Sequence, residues 1–147
     1  MTRYRRLNRI HQIIVVDFEY AGPNPATFDI ANHFHEWTAD YHGATPHLLD
    51  PSRYPSLEER KVFYASYLRQ ANPSVSNCEL QDTMSLLDDQ VRYWSPATHA
   101  MWTIWAIVQA RDDLENGVSE PEFEYLAYSQ CRMAGFRREI ERLGIEV

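Results

Sequence analysis

Only one stretch of this chain reads as a β-strand, and a lone strand cannot satisfy its own backbone. Gln12 to Tyr20 (Gln-Ile-Ile-Val-Val-Asp-Phe-Glu-Tyr) holds four consecutive β-branched residues, Ile13 to Val16, too apolar to face water on either side. It ends in two carboxylates, Asp17 and Glu19, separated by one aromatic. Gly22-Pro23-Asn24-Pro25 then turns the chain back, and everything beyond follows helical spacing. One strand followed by five helices is an odd inventory for a free-standing domain, because a solitary strand leaves its donors and acceptors unpaired.

The helices are set by periodicity and punctuation. Ile30, Phe34, Trp37 and Tyr41 share one face of a helix expected from about Thr27 to Tyr41, with Asp29 in its first turn, where a carboxylate complements the helix dipole. Three prolines between His42 and Pro55 exclude a long element there. Ser56-Leu57-Glu58-Glu59 has the form of a capping box for a second helix ending near Gln70, which buries Val62, Phe63, Tyr64, Tyr67 and Leu68 and is stopped by Asn72-Pro73. A third helix is expected from about Val75 to Trp94 along Leu80, Met84, Leu87, Val91 and Trp94. Ser95-Pro96 supplies an N-cap and a first-turn proline for a fourth, Ala97 to about Leu114. Asn116-Gly117 closes it, and Ser119 with Pro121 opens a fifth, reaching Leu143.

A net charge of −7 argues against nucleic acid, whose phosphates demand clustered Lys and Arg. Arg3, Arg5, Arg6 and Arg9 crowd the first residues without apolar period, which reads as an exposed basic arm over residues 1–11, or as the interior of a longer protein. Cys78 and Cys131 lack zinc spacing and read as free, largely buried thiols. No apolar run is long enough to span a bilayer and no signal peptide is visible, so a cytoplasmic location is expected.

Two sets of residues could carry chemistry. Carboxylates just past a buried strand suit Mg²⁺, which is held by one or two carboxylates together with substrate phosphates. Trp102 and Trp105 share a helix face, and Phe123 and Tyr128 follow, so that several ring faces could enclose a quaternary ammonium; the same spacing also describes an aromatic core stripe. His33 and His35 lie beside Glu36, but residues two apart on a helix point apart, which speaks against a metal cluster. Asp29 and Asn32 read as braces to local backbone.

Asp17-Phe18-Glu19-Tyr20-Ala21-Gly22-Pro23-Asn24-Pro25, followed by Phe28-Asp29-Ile30-Ala31-Asn32-His33-Phe34-His35-Glu36-Trp37, closely resembles the choline/ethanolamine kinase family, with wording most like fungal choline kinases. The resemblance runs with gaps from about Gln12 to the C-terminus. It implies that residues 12–147 are a C-terminal-lobe fragment of a protein-kinase-like (α+β) fold, mainly α, with one core strand and about five helices. It further implies that Asp17 binds Mg²⁺ against the phosphates of ATP, with Glu19 supporting the metal or the substrate hydroxyl. By the same resemblance Tyr20, Glu36, Tyr41, Trp102, Trp105, Phe123 and Tyr128 line a choline or ethanolamine pocket, Glu36 adding charge complementarity, and the intact protein could be a homodimer.

A kinase also needs a glycine-rich loop, a phosphate-pairing lysine and a catalytic aspartate. None of the six histidines opens a His-x-Asp and the five glycines never cluster. The expectation is therefore a choline kinase piece close to inactive alone; ethanolamine kinase, or a non-catalytic choline-binding or interaction module, is the alternative.

Overall fold

The computed structural model describes Val16, residues 18–119 and residues 121–146. Four α-helices account for most of them: α1 (Ala26–Glu36), α2 (Leu57–Ala71), α3 (Asn77–Glu115) and α4 (Tyr125–Arg142), with a 3-10 turn at Pro51–Arg53. The basic arm and most of the expected strand, including Asp17, lie outside the described residues. Val16 and Phe18 are exposed and not in a strand, contrary to a run expected to be shielded on both sides. Among the described residues the only β pairing is the antiparallel bridge between Ala39 and Leu49.

The fold is organised on α3, against which α1, α2 and α4 all pack. At 39 residues it is about 58 Å long. It merges the expected third and fourth helices, so the described residues form four α-helices where five were expected. Ser95-Pro96 does not start a helix. Pro96 lies inside α3, where it cannot donate to the Arg92 carbonyl and costs about 3 kcal/mol relative to alanine. Burial of Val91, Ser95, Pro96, Thr98 and His99 around that position offsets the loss and carries the helix through. The true N-terminus is capped by Ser76, whose side chain and that of Glu79 bond each other's backbone N–H, as Ser56 and Glu59 do for α2.

The two halves of α3 meet different neighbours. Leu80, Met84, Leu87 and Val91 form an apolar core with Ile30, Ala31 and Phe34 of α1 and Tyr64 of α2. Tyr64 is the one fully buried residue of α2, its hydroxyl donating to Asp88, which also pairs with Arg60 (2.7 Å). Val62 and Tyr67, expected inside, are exposed. The second half of α3 buries small and polar residues, Thr103, Ala106 and Ala110, beneath α4. α4 comes close through Gly135, where a Cβ would lie 2.5 Å from Cε1 of His99.

Two boundaries moved. α1 stops at Glu36, where the Thr38 hydroxyl bonds the His35 carbonyl (2.6 Å) and Asp50 N–H bonds the Thr38 carbonyl (2.8 Å), so Trp37 and Tyr41 leave the buried stripe and are exposed. α4 starts at Tyr125, leaving Phe123 in the bend before it. Cys78, expected buried, is exposed on the first turn of α3; Cys131 is half-buried and accepts from Leu49 N–H (3.4 Å), tying the loop after α1 to α4.

Candidate functional site

Where α3, α4 and the loop after α1 meet, the rings form one continuous cluster. Trp102 and Trp105 sit edge to face with centroids 5.2 Å apart and planes at 81°. Trp105 meets Tyr125 at 5.5 Å and Tyr128 at 6.4 Å, and Phe123 lies 5.2 Å from Tyr125, 5.4 Å from Tyr128 and 6.4 Å from Tyr41. Trp105 Nε1 donates to the Tyr20 hydroxyl (3.0 Å), drawing in the residue just past the acidic segment. Tyr128 is buried, the indoles are half-buried, and Tyr41 and Tyr20 are exposed, so the cluster opens to solvent on one side.

A buried arginine holds this arrangement. Arg132, wholly enclosed, donates from Nε to the Tyr128 hydroxyl (2.8 Å) and from Nη2 to Glu36 Oε1 (2.8 Å), while Tyr41 donates to Glu36 Oε2 (2.8 Å). Its guanidinium also lies over the rings of Tyr128 (5.0 Å) and Trp102 (5.9 Å). The ring faces thus already stabilise one cation. Burial raises the Tyr128 phenol above its ordinary range, against the opposing charge of Arg132. Partial burial, then Tyr128 and the Glu36 carboxylate, do the same for Tyr41, so both phenols remain neutral near neutral pH, Tyr41 donating to Glu36 and Tyr128 accepting from Arg132.

The structure therefore brings together all seven residues expected to line a pocket: Tyr20, Glu36, Tyr41, Trp102, Trp105, Phe123 and Tyr128. It corrects the charge assigned to Glu36, whose carboxylate is compensated by Arg132 and keeps a third of its side chain exposed (34%). It also corrects Asn32, which braces no local backbone: its Oδ1 accepts from Trp102 Nε1 (2.6 Å), fixing the indole from α1. Arg132 and Tyr125 were not anticipated. The available signal for Arg132 was its i+4 spacing from Tyr128, which puts both on the buried face of α4.

Glu19 lies in an exposed turn and Asp17 outside the described residues. Among the described residues no group of three or more His, Cys, Asp or Glu side chains could hold a metal ion. His33 and His35 do diverge: His33 stacks on Phe63 (5.2 Å), whereas His35 bonds Ser95 Oγ (2.7 Å). No helix among the described residues is long and apolar enough to cross a membrane.

The chain is 41% identical over 120 residues to "Probable choline kinase 3" of Arabidopsis thaliana, covering 82% of this chain and 32% of that protein. It is 38% identical over 127 residues to "Choline kinase" of Schizosaccharomyces pombe (73% and 28% covered), and 34% identical over 101 residues to "Ethanolamine kinase" of Saccharomyces cerevisiae (69% and 19%). The chain spans about a third or less of the length of these curated relatives. The Choline/ethanolamine kinase family profile matches residues 6–137, and the chain belongs to that family.

Proposed function

We propose that this chain supplies the alkylammonium pocket and the metal carboxylates of a choline kinase, the C-terminal lobe of a protein-kinase-like fold that transfers the ATP γ-phosphoryl group to the choline hydroxyl. The observation that carries this reading is the Tyr20–Trp105 hydrogen bond, which links the end of the acidic segment to the paired indoles. A substrate with a cationic head and a hydroxyl two carbons away needs those two features side by side.

In this reading the trimethylammonium head rests on the ring faces that Arg132 leaves free, those of Trp105, Phe123 and Tyr41 above all. A methylated ammonium has no N–H to donate, so ring faces hold it where hydrogen-bond acceptors cannot. Arg132 and Asn32 keep the rings in place, and Glu36, paired with Arg132, holds Tyr41 at the rim. Asp17 and Glu19 would hold Mg²⁺, which when bound neutralises charge on the nucleotide phosphates. The proton of the choline hydroxyl needs an acceptor in addition, and no His-x-Asp occurs in these 147 residues, so the chain alone is expected to give no MgATP-dependent phosphocholine.

Calorimetric titration of the chain with choline tests the pocket. Choline should bind, methylation of the amine should tighten binding relative to ethanolamine, and Trp105→Ala should weaken it about 2- to 30-fold, the value of one ring face. Choline binding unchanged in Trp105→Ala, or absent from the wild-type chain, refutes the pocket. Binding that ignores Mg-ADP favours the non-catalytic module over the kinase.

A further inference from the structure

Successive residues of α1 serve two different places. Glu36 enters the aromatic cluster, whereas His35 turns into a separate cavity of about 530 Å³ between the loop after α1, the middle of α3 and the end of α4. Four guanidiniums line it, Arg60, Arg92, Arg138 and Arg142, against a single lining carboxylate, Glu139.

Those cations are not equally engaged. Arg60 is consumed by Asp88 and the Pro55 carbonyl, and Arg142 by Glu139 (2.8 Å). Arg92 touches Asp89 only at 3.5 Å, and Arg138 Nε, enclosed, stands 3.9 Å from Glu139 Oε1, too far for a hydrogen bond. Beside them lies His99, 1% exposed, with neither ring nitrogen bonded to any protein group. Gly135 lets the imidazole sit there, because any larger residue would overlap it. The one N–H of this neutral imidazole and the buried Arg138 Nε–H beside it call for acceptor oxygens, and the ring's bare nitrogen calls for a hydroxyl donor on the same ligand. The rest of the wall combines Leu49, Pro51, Tyr54 and Leu143 with the polar His35, Thr38 and Ser95.

We propose that this cavity binds a small organic phosphate, its phosphoryl oxygens accepting from Arg92, Arg138 and the His99 imidazole. Its organic part rests on Tyr54, Pro51 and Leu143. The site is distinct from the aromatic cluster and does not depend on the function proposed for it. Burial chiefly keeps both imidazoles uncharged, joined at His99 by its neighbour His35 and at both by the field of Arg132 and Arg138, which also favours an anion.

The test is calorimetric titration of the full chain with glycerol 3-phosphate, inorganic phosphate and glycerol at matched ionic strength, with histidine ring resonances followed by NMR. Glycerol 3-phosphate should bind saturably, more tightly than inorganic phosphate, shift a buried imidazole, and lose about tenfold or more in affinity in Arg138→Gln and in Arg92→Gln. Both side chains are partly exposed, so these variants should fold, as circular dichroism would verify. No saturable binding, binding reproduced by sodium chloride, or wild-type affinity retained in both variants overturns the site. Inorganic phosphate binding as tightly as the ester overturns the organic part of the ligand.

Discussion

Lowering the pH from 7 to 5 should destabilise this protein through two imidazoles. His35 and His99 are 4% and 1% exposed, with rings 4.2 Å apart. Burial comes first in holding His35 down to about 3, followed by Arg132 and Arg138; burial, then His35 and the same two arginines, hold His99 down to about 2. Ser95 Oγ, Tyr54 and Glu139 complete their surroundings, and only Glu139 is acidic. Unfolding releases both rings to an ordinary value of about 6.5, so below that pH the unfolded chain binds more protons and stability falls as acid is added. The contribution is intact above about pH 6.5 and lost progressively towards pH 3 and below. Between pH 7 and 5 each imidazole loses about 2 kcal/mol, about 4 kcal/mol for the pair, before most carboxylates begin to titrate. Urea unfolding followed by circular dichroism should show the midpoint falling by about 2 M for a slope near 2 kcal/mol/M. NMR should find two rings that stay neutral at pH 5 in the folded chain. A midpoint constant from pH 7 to 5, or both rings titrating near 6.5, would refute the argument.

Gly135→Ala should cost about 1–3 kcal/mol in the same assay, because its Cβ meets the His99 ring at 2.5–2.7 Å; an unchanged midpoint would mean that α4 stands off from α3. Glu36→Leu should destabilise by about 3–5 kcal/mol, more than Arg132→Met, since the first strands a fully buried guanidinium and the second a carboxylate that reaches water; the reverse order would contradict the burial pattern. Ser56→Ala should cost about 1 kcal/mol through loss of the α2 capping box, measurable as a shift in thermal midpoint.

Features carried by neighbouring residues were legible without coordinates. Ser56 and Glu59 cap α2 as their spacing indicates, and Leu80, Met84, Leu87 and Val91 face inward as their period requires. The seven ring and carboxylate positions implied by family resemblance also converge in space. The break at Ser95-Pro96 was misread because a serine followed by proline has the same local chemistry at a helix start as inside one. Only packing against α1 and α4 decides whether the helix continues. The end of α1 was misread for a related reason: the stripe extends to Tyr41, but the Ala39–Leu49 bridge turns the backbone away.

What the chain determines alone is thus its helical segments, their caps and most of their buried faces, all set by residues within a few turns of one another. The tertiary structure decided the site. Asn32 meets Trp102, Tyr20 meets Trp105 and Glu36 meets Arg132 across 70, 85 and 96 residues of chain, and no local period encodes such pairs. Arg132 is buried because three helices close around it, and desolvation then makes its two hydrogen bonds and its ring contacts obligatory. That requirement arises only after the helices have packed.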